Sequence, residues 1–289
     1  MSSASPSTWR IAVLGLGIIG SRAAGNLAKA DIGPVRSWNR TPKGLPGECA
    51  SIEEAAGDAN LVLLYLKDSF AVRAVALDVF ALPALTDGGT RVLVNHSTID
   101  LDTTRWLAAE CAERGIVFLD CPFTGSREAA AGAGLVYYAA GPGEWLDRIE
   151  PVLLKSGKAV LRTGDTGTAT IMKLVTNLIS AVSVQALAEA LATATRHGIS
   201  AQALTEAVAL NASGSVLAAM KLPTMARGDF DTHFSLSNML KDSRYVLELA
   251  DQAGLDTPAI SAVSARMAEL CEEGYADKDY SALAAPYVK

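Results

Sequence analysis

The sequence predicts an α/β fold: an N-terminal doubly wound, mostly parallel sheet, then an all-α C-terminal domain that one long helix joins to it. Three observations predict it. Short apolar runs recur through the first half with helical segments between them, the pattern of strands covered on both faces. A glycine-rich turn links the first run to the first helix. From Thr168 to His197 the chain carries neither glycine nor proline, which makes a helix about 45 Å long.

The elements follow in order. Arg10 to Leu14 is a short apolar strand and Ile18 to Lys29 a helix. Val35 to Asn39 is the second strand, and Leu61 to Leu66 is apolar throughout. Arg91 to Asn95 repeats that pattern, and Thr103 to Arg114 is helical before a strand at Val117 to Asp120. Leu135 to Ala140 and Ala159 to Arg162 are two more strands. Gly198 stops the long helix as a C-cap. Ser200 to Leu210, Ser215 to Met225, Leu236 to Gln252 and Pro258 to Glu273 read as further helices, and Ala276 to Lys289 as an irregular tail.

A chain of 289 residues suits about two domains, here 1–164 and 165–289. Half of it is hydrophobic and 19% charged, the composition of a well-packed globular protein. The net charge of −6 comes without a basic run, which argues against a nucleic-acid partner. No stretch reads as a membrane span, so no membrane partner is expected. Met1 to Trp9 is polar and reads as a frayed tail without a signal-peptide core. Cys49, Cys111, Cys121 and Cys271 are scattered, with no metal or disulfide spacing, and the expectation is reduced thiols in a cytoplasmic protein. His96, His197 and His233 show no metal-ligand spacing either, so no metal is expected.

Gly15-Leu16-Gly17-Ile18-Ile19-Gly20 fits GxGxxG. It follows a strand and opens a helix, the context in which this pattern marks a Rossmann-type dinucleotide site. Gly15 permits the tight turn, Gly17 lets backbone approach a pyrophosphate, and Gly20 lets helix and strand pack closely. The helix N-terminus offers free N–H groups and partial positive charge to the phosphates. The second strand ends Trp38-Asn39-Arg40-Thr41, with no acid to bind a ribose 2′-hydroxyl. Arg40 can pair with a 2′-phosphate, and Asn39 and Thr41 can hydrogen-bond it. NADPH is therefore the expected cofactor; the alternative reading of Arg40 is a solvated surface arginine.

In the long helix, Lys173 and Asn177 stand four apart among Ile171, Met172, Leu174, Val175, Leu178 and Ile179. The pair shares one face of a helix expected to be buried on most sides. A lysine there needs a cavity or partner, and desolvation would bring its pKa towards neutrality, as acid–base catalysis requires. From spacing alone, a lysine that snorkels to solvent explains the position equally well.

With Asn95-His96-Ser97-Thr98, Asp120-Cys121-Pro122-Phe123-Thr124-Gly125-Ser126, Gly167 to Lys173 running on to Asn177, and Lys241-Asp242 after Phe234, the chain resembles the β-hydroxyacid dehydrogenase family, in its glyoxylate and succinic semialdehyde reductase branch. The resemblance spans Ile11 to about Leu283. It implies that Lys173 is the catalytic lysine and that Asn177 orients the substrate. It implies that Thr124, Gly125 and Ser126 receive a substrate carboxylate, with Phe234 lining the pocket. Lys241 would lie near substrate and cofactor, Thr98 on the nicotinamide side, and Leu66 and Lys67 along the cofactor. Thr124 replaces a serine of the family pattern, Lys67 a common proline, and Asn95-His96 a more usual aspartate-methionine. These departures bear on the substrate and leave the fold intact.

The expected reaction is hydride transfer between NADPH and a small aldehyde or keto acid in a cleft between the domains, with Lys173 as general acid or, in reverse, base. Imine reductases resemble the same fold but commonly carry Asp or Tyr at the position of Lys173. An oxidative enzyme acting on a 3-hydroxyacid with NAD as acceptor is opposed by Asn39-Arg40-Thr41, and a catalytically silent NADP-binding scaffold by the lysine itself. The length of the apolar helix further predicts a homodimer or larger homo-oligomer.

Overall fold

The computed structural model describes residues 9–288. Met1 to Thr8 of the expected tail, and Lys289, lie outside the described residues. Trp9 is a correction: it packs half-buried against the core, with the Arg148 guanidinium 5.8 Å from its ring. The chain divides into two compact units, one up to Lys173 and one from Leu174.

The first unit is α/β. Its strands are β1 (Ile11–Leu14), β2 (Val35–Trp38), β3 (Leu61–Leu64), β4 (Val92–Asn95), β5 (Val117–Asp120), β6 (Phe123–Thr124), β7 (Leu135–Ala140) and β8 (Gly157–Gly164). They form one sheet in the order β2-β1-β3-β4-β5-β7-β6, with β8 also on β7. β1 to β5 are parallel, while β7 runs antiparallel to β5 and β6. Successive side chains of a strand point to opposite faces, so the apolar runs feed two cores. Ile11, Val13, Leu61, Leu63, Val92 and Val94 enter one; Ala12, Leu14, Val62, Leu64 and Leu93 enter the other. Full burial of each Leu or Val side chain contributes about 1.5–3 kcal/mol.

The helices of this unit are α1 (Gly20–Lys29), α2 (Ile52–Ala56), α3 (Ser69–Phe80), α4 (Leu101–Glu113), α5 (Arg127–Ala131) and α6 (Gly143–Leu153). The sequence reading sets no bounds for α2, though Glu53-Glu54 reads as a solvated helix face, and it lacks α3, α5 and α6 and the two-residue β6. Ser51, Asp68 and Ser126 cap the first three by accepting a backbone N–H, a signal easily lost among other polar residues. α6 contains Pro151, which reads as a stop in the sequence.

The long helix α7 (Thr168–Arg196) is unbroken, and Gly198, at φ +82°, follows its end. After it come α8 (Ala201–Leu210), α9 (Val216–Ala226), α10 (Leu236–Gln252) and α11 (Pro258–Leu270). Leu174, Ala181, Val184, Ala188 and Leu191 of α7 enter the helical core. Two expectations change here. α7 is not buried on most sides: Val175 is 37% and Ile179 62% exposed. By length and composition it is also long and apolar enough to cross a membrane, contrary to the sequence reading, a test that core helices pass too. The C-terminal segment is not an irregular tail. Tyr280–Ala284 forms a buried 3-10 turn, tied down by Asp279 against Lys221 of α9.

Candidate functional site

The glycine turn has the geometry its spacing predicts. Gly15 sits at φ +105°, and a Cβ there would lie 2.2 Å from the Tyr65 carbonyl oxygen. A Cβ on Gly20 would lie 2.0 Å from the Gly15 oxygen. Neither position admits a side chain. At Gly17 a Cβ would meet nothing within 4 Å, so the backbone lies open on that side. Ile18 is 49% exposed, and Ile19 is half-buried against the core.

At the end of β2, Asn39 works as a strut. Its Oδ1 accepts the Leu16 N–H at 2.8 Å and its Nδ2 donates to the Thr41 carbonyl at 2.7 Å. Its amide therefore joins the end of β2 to the glycine turn. Arg40 and Thr41 are exposed beside it.

The loops after β3 and β4 interlock. Ser97 Oγ accepts the Leu66 N–H at 2.8 Å, Lys67 is exposed, and Thr98 is half-buried. Buried Asn95 staples its own turn, accepting the Ser97 N–H and donating to the Ser97 carbonyl. His96 is fully buried and stacks on Tyr65 at 4.5 Å. Its Nδ1 donates to the Cys121 carbonyl, and Nε2 is a buried acceptor without a partner among the described residues. Burial pushes its pKa down to about 4, against the bond to Cys121. The departures at Asn95 and His96 are thus absorbed inside the unit.

Thr124 pairs with Val136 across β6 and β7. Gly125, at φ +142°, follows, where a Cβ would come within 2.8 Å of Leu135 Cδ2. Ser126 Oγ accepts the Ala129 N–H at 3.2 Å and so caps α5. The three residues form one tight corner.

Lys173 is half-buried on α7. One turn on, buried Asn177 donates to Asp242 Oδ2 at 2.7 Å, and Lys241 Nζ donates to Oδ1 of the same carboxylate at 2.6 Å. The Lys241 ammonium also stands 4.8 Å from the Tyr245 ring. Asp242 thus ties two of the sequence-predicted site residues together, a role the sequence reading missed. The signal was present: Met239, Asp242 and Val246 share the buried stripe of α10, where an unpaired acid is costly. Phe234 is half-buried, its N–H donating to Asp279 and its ring 6.1 Å from Tyr280.

Asp120 was also passed over as a functional residue. It ends β5, is fully buried, and accepts from Gly167 N–H (3.2 Å), Thr170 N–H (2.9 Å) and Thr170 Oγ1 (2.8 Å). Burial raises its pKa to about 6, against the pull of those bonds.

Residues 10–164 match the NAD binding domain of 6-phosphogluconate dehydrogenase. Residues 167–287 match the family described as NAD-binding of NADP-dependent 3-hydroxyisobutyrate dehydrogenase. The chain is 29% identical over 284 residues to glyoxylate/succinic semialdehyde reductase 2, chloroplastic, of Arabidopsis thaliana, covering 96% of this chain and 78% of the relative. It superposes on the 3-hydroxyisobutyrate dehydrogenase of Mycobacterium tuberculosis, solved with L-serine, with a TM-score of 0.86, 27% identity, and coverage of 96% and 98%. An imine reductase from Pseudomonas sp. shares the fold, with a TM-score of 0.61, 21% identity, and coverage of 94% and 97%.

Proposed function

This chain belongs to the β-hydroxyacid dehydrogenase family of NAD(P)-dependent oxidoreductases, and from that premise we propose that it reduces a small aldehyde or keto acid with NADPH, Lys173 supplying the proton. The observation that carries the reading is Lys173 on the unbroken α7, one turn before a buried Asn177 that Asp242 holds.

The residues fit the cofactor. Gly17 leaves backbone open where a pyrophosphate must approach, while Gly15 and Gly20 have no room for a side chain. Gly15 to Gly20, Leu66, Lys67, Thr98 and Lys241 are assigned to it. With the Asn39 amide engaged on Leu16 and Thr41, recognition of the 2′-phosphate rests mainly on Arg40, with Thr41 beside it. NADPH, when bound, supplies the hydride.

The chain's own residues do the rest. The corner at Thr124, Gly125 and Ser126 receives the substrate carboxylate, and Phe234 and Lys241 are assigned to the substrate as well. Lys173 Nζ donates a proton to the carbonyl oxygen as negative charge develops there, so that C=O becomes CH–OH. In reverse, Lys173 takes the hydroxyl proton. Asn177 orients the substrate, and its tie to Asp242 keeps its amide in one orientation. Which acid is reduced depends on pocket walls that differ from the family pattern at Thr124.

The test is NADPH consumption against small aldehyde acids, keto acids and cyclic imines, with Lys173→Ala alongside. Loss of the catalyst lowers kcat about 10²–10⁴-fold while NADPH binding persists. Turnover confined to imines, or a kcat that survives the substitution, overturns the reading.

The exposed Val175 and Ile179 on α7 support pairing of two copies through this helix. A monomer in light scattering at micromolar concentration would end that proposal. All four cysteines are free, which supports a reducing compartment such as the cytoplasm.

A further inference from the structure

We infer that Asp120 is a positioning residue for the reaction: from the end of β5 its carboxylate clamps the first turn of α7 and so sets where Lys173 points. The inference rests on the reading of Lys173 as the proton donor.

The clamp is built across the fold. Asp120 lies 47 residues from Gly167 and 50 from Thr170, yet it accepts both of their N–H groups and the Thr170 hydroxyl. The first turn of a helix carries N–H groups with no partner in the helix itself. In seven other helices such a group is met locally: Ser51, Asp68, Asp100, Ser126, Ser200, Ser215 and Ser235 each cap the helix that follows them. α7 is held instead by an acid on the sheet.

That arrangement is costly. Asp120 is fully buried and forms no ion pair with Lys or Arg among the described residues, and burying a carboxylate without a cation is unfavourable. The N-terminal partial charge of α7 and three donors offset the cost only while the helix keeps its place. What the clamp adds over a serine cap is position, because it fastens the helix to the rigid end of a parallel strand. A second tie reinforces it: Thr170 Oγ1 lies 2.9 Å from Thr104 Oγ1, whose hydroxyl reaches the Asp100 carbonyl at 3.2 Å. Lys173 follows Thr170 by three residues, on the neighbouring side of the same turn. A displacement of this turn carries the lysine with it, and a misplacement of about 1 Å in a reacting group can cost about 10²-fold in rate.

The hydroxyl chain supplies a discriminating variant. In Asp120→Asn the amide oxygen keeps both backbone donors. The amide nitrogen then donates to Thr170 Oγ1, Thr170 to Thr104, and Thr104 to the Asp100 carbonyl. Every group of the native clamp keeps a partner, at the cost of one amide N–H left over, and the clamp survives without its charge. Asp120→Ala loses it.

The experiment measures kcat and KM for the aldehyde or keto acid, and Kd for NADPH by fluorescence titration, in Asp120→Ala, Asp120→Asn and Lys173→Ala. The expected result is a kcat about 10²-fold lower in Asp120→Ala, with Kd for NADPH and KM for substrate within about twofold, and recovery to within about threefold in Asp120→Asn. A merely structural role would lower the melting temperature and leave the kcat of the folded enzyme unchanged. If Lys173→Ala is dead and Asp120→Ala keeps its kcat, the clamp fails and the lysine stands. If Asp120→Asn is as slow as Asp120→Ala, geometry is not what Asp120 contributes and the inference falls. A Lys173→Ala variant with full kcat removes the lysine reading, and a slow Asp120→Ala then has another cause.

Discussion

Asp120 in the sheet unit and Asp279 in the helical unit are both buried carboxylates that hold a chain segment in place, and their surroundings differ. Asp120 has backbone and hydroxyl donors alone, and burial lifts its pKa to about 6. Burial also works against the charge of Asp279. Lys221 at 2.5 Å, with Ser281, outweighs that and holds it below the usual carboxylate value, and the N–H groups of His233 and Phe234 also donate to it. Around Asp279 the fold provides a full countercharge, and its ionisation is fixed across the physiological range. Around Asp120 it provides only dipoles, and its ionisation depends on pH. The helical segment is held by an ion pair, whereas the first turn of α7, which carries Lys173, is held by a carboxylate with no cation of its own.

The largest effect should come from breaking the ion pair. Lys221→Ala leaves Asp279 buried without its cation and should destabilise the protein by about 3–5 kcal/mol in urea titration. A loss below about 1 kcal/mol would mean that the three backbone N–H groups suffice for Asp279, and the contrast with Asp120 would collapse. A smaller effect lies within the sheet unit, where two buried groups titrate with opposite consequences. His96 has its folded pKa lowered from 6.5 to about 4. As pH falls through that window the unfolded chain takes up the proton first, so stability is lost, by about 3 kcal/mol. Asp120 has its folded pKa raised from 3.8 to about 6. Its contribution is fully present below 3.8 and is lost as pH rises towards 6, by about the same amount. The two slopes cancel across roughly pH 4–6. Relative to the wild type, Asp120→Asn should lose melting temperature on acidification from pH 7 to 4.5, and His96→Met should gain it. Parallel curves for the three proteins would show that neither group carries the assigned linkage.

What could be read from the sequence was what is local in it. Gly15, Gly17 and Gly20 announce their roles within six positions, and the apolar strands declare burial on both faces without reference to anything distant. Lys173 and Asn177 declare a shared helical face by spacing alone. Seven of the eight strands appear with ends shifted by at most two residues, while the two-residue β6 does not appear. What could not be read depends on partners far along the chain. Asp120 meets Thr170 and Asp242 meets Asn177 across separations of 50 and 65 residues, and no periodicity encodes such a meeting. The burial of Tyr280–Ala284 depends likewise on Lys221 finding Asp279. α6 was hidden for a different reason: Pro151 lies near its end, and a rule that takes proline as a stop erases a helix that tolerates one.

The anchoring of α7 at its first turn has a mechanical consequence. A rod fixed near one end moves least close to the pivot. Lys173 lies about 4.5 Å along the axis from Thr170, whereas Arg196 lies about 39 Å away. A flexure of about 10° would shift the lysine backbone by less than about 1 Å and the far end by about 7 Å, from the same axial rise. Lys173 thus stands close to the fulcrum, where bending of the helix displaces it least.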